Sequence, residues 1–177
     1  MRKVNRTWMA VVAAALVLGT LVGVVWARPS DRPGSAESTR KVTLPGAVFI
    51  PTGKMYDWSN DGLKVWCSSG SCYWAAPVVF PTLSSVTVER VKLHVYDNNG
   101  AAYACATVYR ASPAGGSMPV LGGVCSPFSG ATSNPETFTS AAINKAVWPS
   151  HGAIVWLTVD APDIYVYGVT VEYHRNQ

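Results

Sequence analysis

Apolar and polar side chains alternate along several short stretches of this 177-residue chain, and this alternation is the strongest constraint on its fold. Between residues 90 and 96 the apolar positions are Val91, Leu93 and Val95. Successive side chains of a strand point to opposite faces, so the pattern predicts a β-strand with one buried face. An Asp-Asn-Asn-Gly turn follows at 97–100, and the alternation then resumes. We therefore predict a β-hairpin centred on that turn.

Two further segments predict paired strands. Residues 64–67 and 72–74 flank a Ser-Ser-Gly-Ser turn, and residues 153–160 and 163–174 flank the turn Asp-Ala-Pro-Asp. The second pair is rich in β-branched and aromatic residues, which are common in strands. We expect one face of the last strand to consist of Tyr165, Tyr167, Val169, Val171 and Tyr173.

Upstream of the predicted hairpin the alternation changes phase. Val86 and Val88 are out of phase with the strand that follows, which predicts a β-bulge at Glu89–Arg90. Gly, Pro and Ser are concentrated in residues 111–136, so we expect loops there around one strand near 120–125.

Short strands separated by turns, without amphipathic helices between them, predict the fold class. Residues 140–147 also fit a helix, but we favour a strand near Phe138–Ile143 because its surroundings are β. The prediction is an all-β chain, an antiparallel β-sandwich with jelly-roll-like topology.

The N-terminus predicts export. Basic residues in the first six positions precede an uncharged apolar run, Trp8–Trp26, which ends in small residues at Ala27. This order is typical of a signal peptide over residues 1–27. The alternative is a retained membrane anchor, because about 20 apolar residues span a bilayer. Residues 28–41 are polar and are predicted to form a flexible linker, leaving 42–177 as the β-sandwich domain.

Both readings of the N-terminus place the domain outside the cytoplasm, as a secreted or extracytoplasmic protein. Any membrane contact would then be made through the N-terminal segment, if it is uncleaved. Without Arg2, Lys3 and Arg6 the net charge falls from +4 to about +1, with no concentrated basic stretch. We therefore expect no nucleic-acid partner.

An even number of cysteines in an exported chain predicts disulfide bonds. Of the three possible pairings we favour Cys67–Cys72 with Cys105–Cys125, because each pair is close in sequence and flanks a turn-rich stretch. A zinc site is the alternative, but the two C-terminal cysteines are too far apart to resemble a close ligand pair.

Four stretches together resemble a known set of proteins. They are Pro45–Phe49 (PGAVF), Ala76–Phe80 (APVVF), Val91–Asn98 (VKLHVYDN) and Tyr167–Tyr173 (YGVTVEY). In this order the chain resembles a widespread set of uncharacterised secreted bacterial β-sandwich proteins, over most of residues 44–175. The resemblance implies the fold and export, and it implies no activity and no functional residue.

Aromatic residues provide the best candidate for a ligand site. Aromatic faces stack on the C–H faces of sugar rings, and a flat platform is one use of such residues on a sheet. The candidates for such a platform are Trp58, Trp66, Trp74, Tyr96, Tyr103 and Tyr109. We select Trp58, Tyr96 and Tyr103 as ligand-binding residues. The competing interpretation is that they are core residues or cross-strand pairs, with Tyr96 opposite Tyr103.

Metal and catalytic sites have weaker signals. Asp57, Ser59 and Asp61 precede Gly62 in the spacing of half a calcium loop, but Ser68 stands where the closing Glu would be. The three histidines are scattered, and no Gly-x-Ser-x-Gly turn is present. We therefore expect no cofactor and no enzyme activity.

The function predicted from the sequence is a secreted, non-catalytic binding or surface-interaction module. A polysaccharide or cell-surface glycan is the favoured ligand. The alternative is a structural, self-assembling cell-surface protein that uses its edge strands. A hydrolase is the least favoured class, and the oligomeric state stays open.

Overall fold

The computed structural model of the protein describes residues 38–52, 58–128 and 132–176. The strands are β1 (Arg40–Pro45), β2 (Ile50–Pro51), β3 (Trp58–Asn60), β4 (Val65–Cys67), β5 (Cys72–Val78), β6 (Val86–Asp97), β7 (Ala104–Ala111), β8 (Val120–Cys125), β9 (Glu136–Thr139), β10 (Lys145–Val147), β11 (Gly152–Val159) and β12 (Ile164–Arg175). A single 3-10 turn, Gly46–Val48, is the one helical element in these ranges. None of the described residues forms a helix long and apolar enough to span a bilayer.

The strands form two antiparallel sheets packed face to face. The seven-stranded sheet has the order β10-β6-β12-β4-β3, with β9 also paired to β6 and β1 also paired to β12. The five-stranded sheet has the order β2-β5-β11-β7-β8. The predicted fold class, an all-β antiparallel sandwich, is confirmed.

The predicted hairpins are wrong in one respect: each connects the two sheets instead of pairing within one. β6 lies in the seven-stranded sheet and β7 in the five-stranded sheet, and the same holds for β4 with β5 and for β12 with β11. Such an arch buries the same alternate side chains as a hairpin, because the inner faces of the two sheets oppose each other. Alternation therefore identifies the buried face of a strand but not its partner.

These three arches define one end of the sandwich, which we call the arch end; they consist of residues 68–71, 98–103 and 160–163. At the opposite end β1 begins and β12 finishes, since Arg40 pairs with Tyr173. We call this the entry end. The loops 79–85, 112–119 and 148–151 also lie there.

Two bulges set which side chains point inward. The register between β6 and β12 shifts at Glu89, as predicted, so that Val88 and Val91 are both buried. A second shift between Val166 and Gly168 was not predicted. It turns Tyr165 outward while Val169, Val171 and Tyr173 point into the core, which corrects the expectation of one continuous face.

The core lies between the sheets. Alternate residues of the central strands fill it, and Trp74, Tyr173, Leu93 and Leu157 are among its largest fully buried side chains. Trp74 therefore does not belong to a surface platform. Ala104 and Ala106 of β7 are buried opposite the larger side chains of the other sheet.

The cysteines meet in the two favoured pairs. The bond between Cys67 and Cys72 joins β4 to β5 across an arch, and therefore one sheet to the other. The bond between Cys105 and Cys125 joins neighbouring strands on the outer face of the five-stranded sheet.

The described part of the chain belongs to one compact unit, Ala36–Gln177. This unit contains both sheets, the buried core and both disulfides, and we therefore expect it to fold on its own. Its first strand begins at Arg40, two residues before the start expected for the domain. The predicted signal peptide and most of the predicted linker lie outside the described residues.

Candidate functional site

Three aromatic side chains form a row across the outer face of the seven-stranded sheet, near the arch end. Tyr96 on β6 pairs with Tyr165 on β12, which in turn pairs with Trp66 on β4. The ring centroids of Tyr96 and Tyr165 are 5.9 Å apart, and those of Tyr165 and Trp66 are 5.8 Å apart. All three side chains are half-buried. We call these residues the aromatic row.

Lys64 adds a positive charge to the aromatic row. Its Nζ lies 4.4 Å from the ring centroid of Tyr165 and 5.5 Å from that of Trp66. At these distances the ammonium group is attracted by the ring faces. The row therefore combines apolar ring surface with a hydrogen-bond donor.

A second row, of neutral polar groups, lies beside the aromatic row. His94 bonds through Nδ1 to Oγ1 of Thr137 at 2.9 Å and through Nε2 to Oγ1 of Thr170 at 2.9 Å. The hydroxyl of Thr170 also lies 3.0 Å from that of Thr43. Burial, together with the nearby charge of Lys92, lowers the pKa of His94 below its usual value and so favours the neutral imidazole.

Gly168 permits the strands to pack closely between these two rows. It pairs with His94 on one side and with Pro45 on the other. A Cβ at this position would lie 2.6 Å from the carbonyl oxygen of Leu44, so a larger residue would displace β1. The bulge and the glycine together fix the side of the sheet on which Tyr165 lies.

A third row, nearer the entry end, is ionic. Oε1 of Glu172 lies 2.8 Å from Nζ of Lys92 and 3.5 Å from Nζ of Lys41. The hydrogen bond from Lys92 is the main cause that lowers the pKa of Glu172, and burial opposes it.

A polar depression of about 400 Å³ lies beside this third row, and Glu89, Arg90 and Glu172 are among its lining residues. Glu89 is bonded to His174 and to Thr39, at 2.9 Å and 2.8 Å. Both acidic groups of the depression are therefore engaged with neighbours.

The three residues selected from the sequence lie in different places. Tyr96 belongs to the aromatic row. Trp58, on β3, lies opposite Cys67 of β4 and packs against the core. Tyr103 lies in the arch between β6 and β7, with its ring 5.9 Å from that of Phe128 and with Asp160 raising its pKa. The structure therefore does not bring the three together.

Sequence reasoning missed Tyr165 and placed Trp66 only in the wider set of aromatics. The available signal was Gly168, because a glycine inside a strand often marks a bulge. A bulge there reverses the predicted facing of Tyr165 relative to the rest of β12.

The predicted calcium loop is described only in part, since Asp57 lies outside the described residues. The carboxylate of Asp61 accepts hydrogen bonds from the backbone N–H groups of Leu63 and Lys64, at 3.0 and 2.9 Å. These bonds are the main cause that lowers the pKa of Asp61. Ser59 lies on β3, opposite Trp66. Over the described ranges, no group of three or more His, Cys, Asp or Glu side chains could hold a metal ion.

A second aromatic surface lies on the outer face of the five-stranded sheet. Tyr73, Trp156 and Tyr109 come from three adjacent strands, and their neighbours on that face include Ala75 and Ile154. Its polar neighbours are the hydroxyls of Thr107 and Thr158, and no histidine lies on it among the described residues.

No protein-family model and no curated protein sequence matches the chain. Several solved structures are similar in shape. One, from a study of carbohydrate-binding modules of the β-sandwich superfamily, has a TM-score of 0.43 and 10% identity, covering 79% of this chain and 58% of that one.

A carbohydrate-binding module of a lichenase from Cellvibrio mixtus, in complex with cellotriose, has a TM-score of 0.39 and 15% identity, covering 77% of this chain and 98% of that one. A structure of infectious bursal disease virus has a TM-score of 0.40 and 12% identity, covering 84% and 36%. The chain thus spans less than two thirds of the first and third of these structures. With TM-scores below 0.5, these likenesses carry no weight for function.

Proposed function

We propose that the protein is a non-catalytic binding module whose ligand is a glycan, bound on the aromatic row of Trp66, Tyr96 and Tyr165. The observation that carries the proposal is the position of this row beside neutral hydrogen-bonding groups. Sugars have apolar C–H faces and a rim of hydroxyl groups, so a binding site for them needs both kinds of surface. The outer face of the seven-stranded sheet offers both within three neighbouring strands.

The polar groups beside the row suit hydroxyl ligands. Neutral His94 has one donor and one acceptor nitrogen, and the threonine hydroxyls can act in either sense. A sugar hydroxyl can replace one partner of this network without leaving a charge unpaired. Lys64 at the rim would donate to a ring or hydroxyl oxygen.

Self-assembly through sheet edges, the alternative from the sequence, has less support. The described edge strands are short, with two residues in β2, three in β3 and β10, four in β9, and six in β1 and β8. Short edges give little template for adding a further strand.

The test is binding of the unit 36–177 to a panel of polysaccharides and glycans, followed by the variants Trp66→Ala and Tyr96→Ala. We expect each variant to weaken binding by about tenfold, because a lost aromatic stacking surface is worth roughly 1.4 kcal/mol. Isothermal titration or affinity electrophoresis measures the change.

Tyr109→Ala is the matched control, since it removes a half-buried tyrosine from the outer face of the other sheet. It should leave binding unchanged. Loss of binding in Tyr109→Ala alone would show that the site is on the five-stranded sheet. Absence of binding to the whole panel would refute the proposal.

A further inference from the structure

The entry end of the sandwich carries large exposed apolar side chains on three separate loops. Val79 is 73% exposed and Leu83 is 96% exposed, both in the loop after β5. Met118 in the loop after β7 is 43% exposed, and Trp148 in the turn before β11 is 51% exposed. These side chains leave apolar surface in contact with water in each loop, which costs free energy without stabilising the fold.

Strand pairing places these loops next to one another. Val78 and Ala111, which precede the first two loops, are aligned with Ala153 and Gly152 at the start of β11. Val147, which precedes the third, pairs with Val86 at the start of β6. The three loops therefore lie together at one end of the sandwich.

Basic and acidic residues are distributed unequally between the entry end and the arch end. In the described ranges, every Lys and Arg except Lys64 lies at the middle of a sheet or in the half next to the entry end. Those nearest the entry end are Arg40, Lys41, Arg90, Arg110, Lys145 and Arg175.

The acidic residues have the opposite distribution. Asp61, Asp97, Glu136, Asp160 and Asp163 lie in the half next to the arch end. The two acidic residues of the other half, Glu89 and Glu172, are bonded to His174 and to Lys92. The basic groups of the entry end therefore exceed the acidic groups, although the net charge of the whole domain is small.

The described chain also enters the domain at this end. Thr39 and Arg40 lie beside the end of β12, and the uncharged run Trp8–Trp26 is separated from them by only a short polar segment of sequence. Exposed apolar side chains among basic residues are the combination that binds anionic lipid headgroups and inserts at the boundary with the acyl chains.

We propose that the entry end docks on an anionic lipid surface, with Leu83, Met118 and Trp148 inserted at the headgroup boundary and with the surrounding Arg and Lys side chains contacting lipid phosphates. This docking would orient the aromatic row, near the arch end, away from the membrane. It does not depend on the ligand of that row.

The experiment is co-sedimentation of the unit 36–177 with vesicles of phosphatidylcholine alone and of an equimolar mixture of phosphatidylcholine and phosphatidylglycerol. We expect partition onto the mixed vesicles, little onto the neutral ones, and weakening as salt is raised. Leu83→Ser with Trp148→Ser should reduce partition by about tenfold or more, because two apolar side chains no longer enter the lipid.

The matched control is Leu63→Ser with Phe128→Ser. These side chains are 73% and 61% exposed and lie outside the entry-end loops, Leu63 in the turn between β3 and β4 and Phe128 beside Tyr103 of an arch, so their replacement should leave partition unchanged. Circular dichroism checks that both pairs of variants are folded. No partition onto anionic vesicles, equal losses in the two pairs, or binding that survives the loss of Leu83 and Trp148 would each overturn the proposal.

Discussion

At the scale of single residues, Glu172 connects three strands of the seven-stranded sheet. It lies on β12 between Lys92 of β6 and Lys41 of β1, and its side chain is 10% exposed. A carboxylate in this position gains more from its partners than an exposed one, because water screens it less. Its pKa is lowered from the usual 4.5, with the hydrogen bond from Lys92 as the first cause.

We expect Glu172→Gln to lower the free energy of unfolding by about 1–3 kcal/mol at pH 7. A lowered pKa in the folded state gives stability that is fully present above the unfolded-state pKa and is lost as pH falls through the folded-state pKa. The difference between the two proteins should therefore shrink in acid. Urea denaturation at pH 7 and at acid pH measures it, with Glu136→Gln, exposed on β9, as the control. A difference that is constant with pH would contradict the assignment.

The side of the sheet on which a site residue lies was predictable only where the local sequence pattern determines it. Tyr96 follows a regular alternation, and its outward position was predictable. The facing of Tyr165 depends on a bulge that aligns β12 with β6, and this alignment is a tertiary property.

The burial of Asp97 was also not predictable from the local sequence. It was assigned to a turn, yet its carboxylate is fully buried and accepts hydrogen bonds from the backbone N–H of Asn99 and from the hydroxyl of Ser126. Ser126 is distant in sequence, so no local pattern reveals the contact.

At the scale of strands, the sequence predicted where strands lie better than how they pair. The alternation located β6, β7, β11 and β12, and the phase change located the bulge at Glu89. The pairing was wrong at all three connections because an arch and a hairpin bury the same side chains. The strand favoured near Phe138–Ile143 is correct only in part, because β9 ends at Thr139, residues 140–144 lie in no strand, and β10 begins at Lys145.

The disulfide between Cys105 and Cys125 gives a prediction at this scale. It connects β7 to β8 on an outer face and closes a loop with a sequence separation of 20. Cys105→Ala with Cys125→Ala should lower the free energy of unfolding by about 3 kcal/mol, because the unfolded chain regains conformational freedom. Denaturant titration measures the change. A loss below about 1 kcal/mol would show that the loop constrains the unfolded chain less than the entropy model expects.

At the scale of the whole molecule, the two ends of the sandwich differ in chemistry. The aromatic row lies towards the arch end, while most of the basic groups and the exposed apolar loop residues lie towards the entry end. Neither arrangement was predictable from the sequence, because residues such as Leu83, Met118 and Trp148 are far apart in the chain. The small net charge of the domain conceals the separation of its basic residues from its acidic residues between the two ends of the sandwich.

The pairing of the first and last strands has a mechanical consequence. β1 and β12 are antiparallel neighbours, so the ends of the described chain emerge side by side at one end. A pull between residues 38 and 176 loads their hydrogen bonds one after another, whereas a pull between residue 38 and Gly100 loads several strands in shear at once. Single-molecule force spectroscopy should therefore record early, low-force peeling of β1 in the first geometry and a higher rupture force in the second. Equal forces in the two geometries would mean that β1 is not the first strand to yield. The expected result would mean that the domain peels readily from its ends and resists tension along its length.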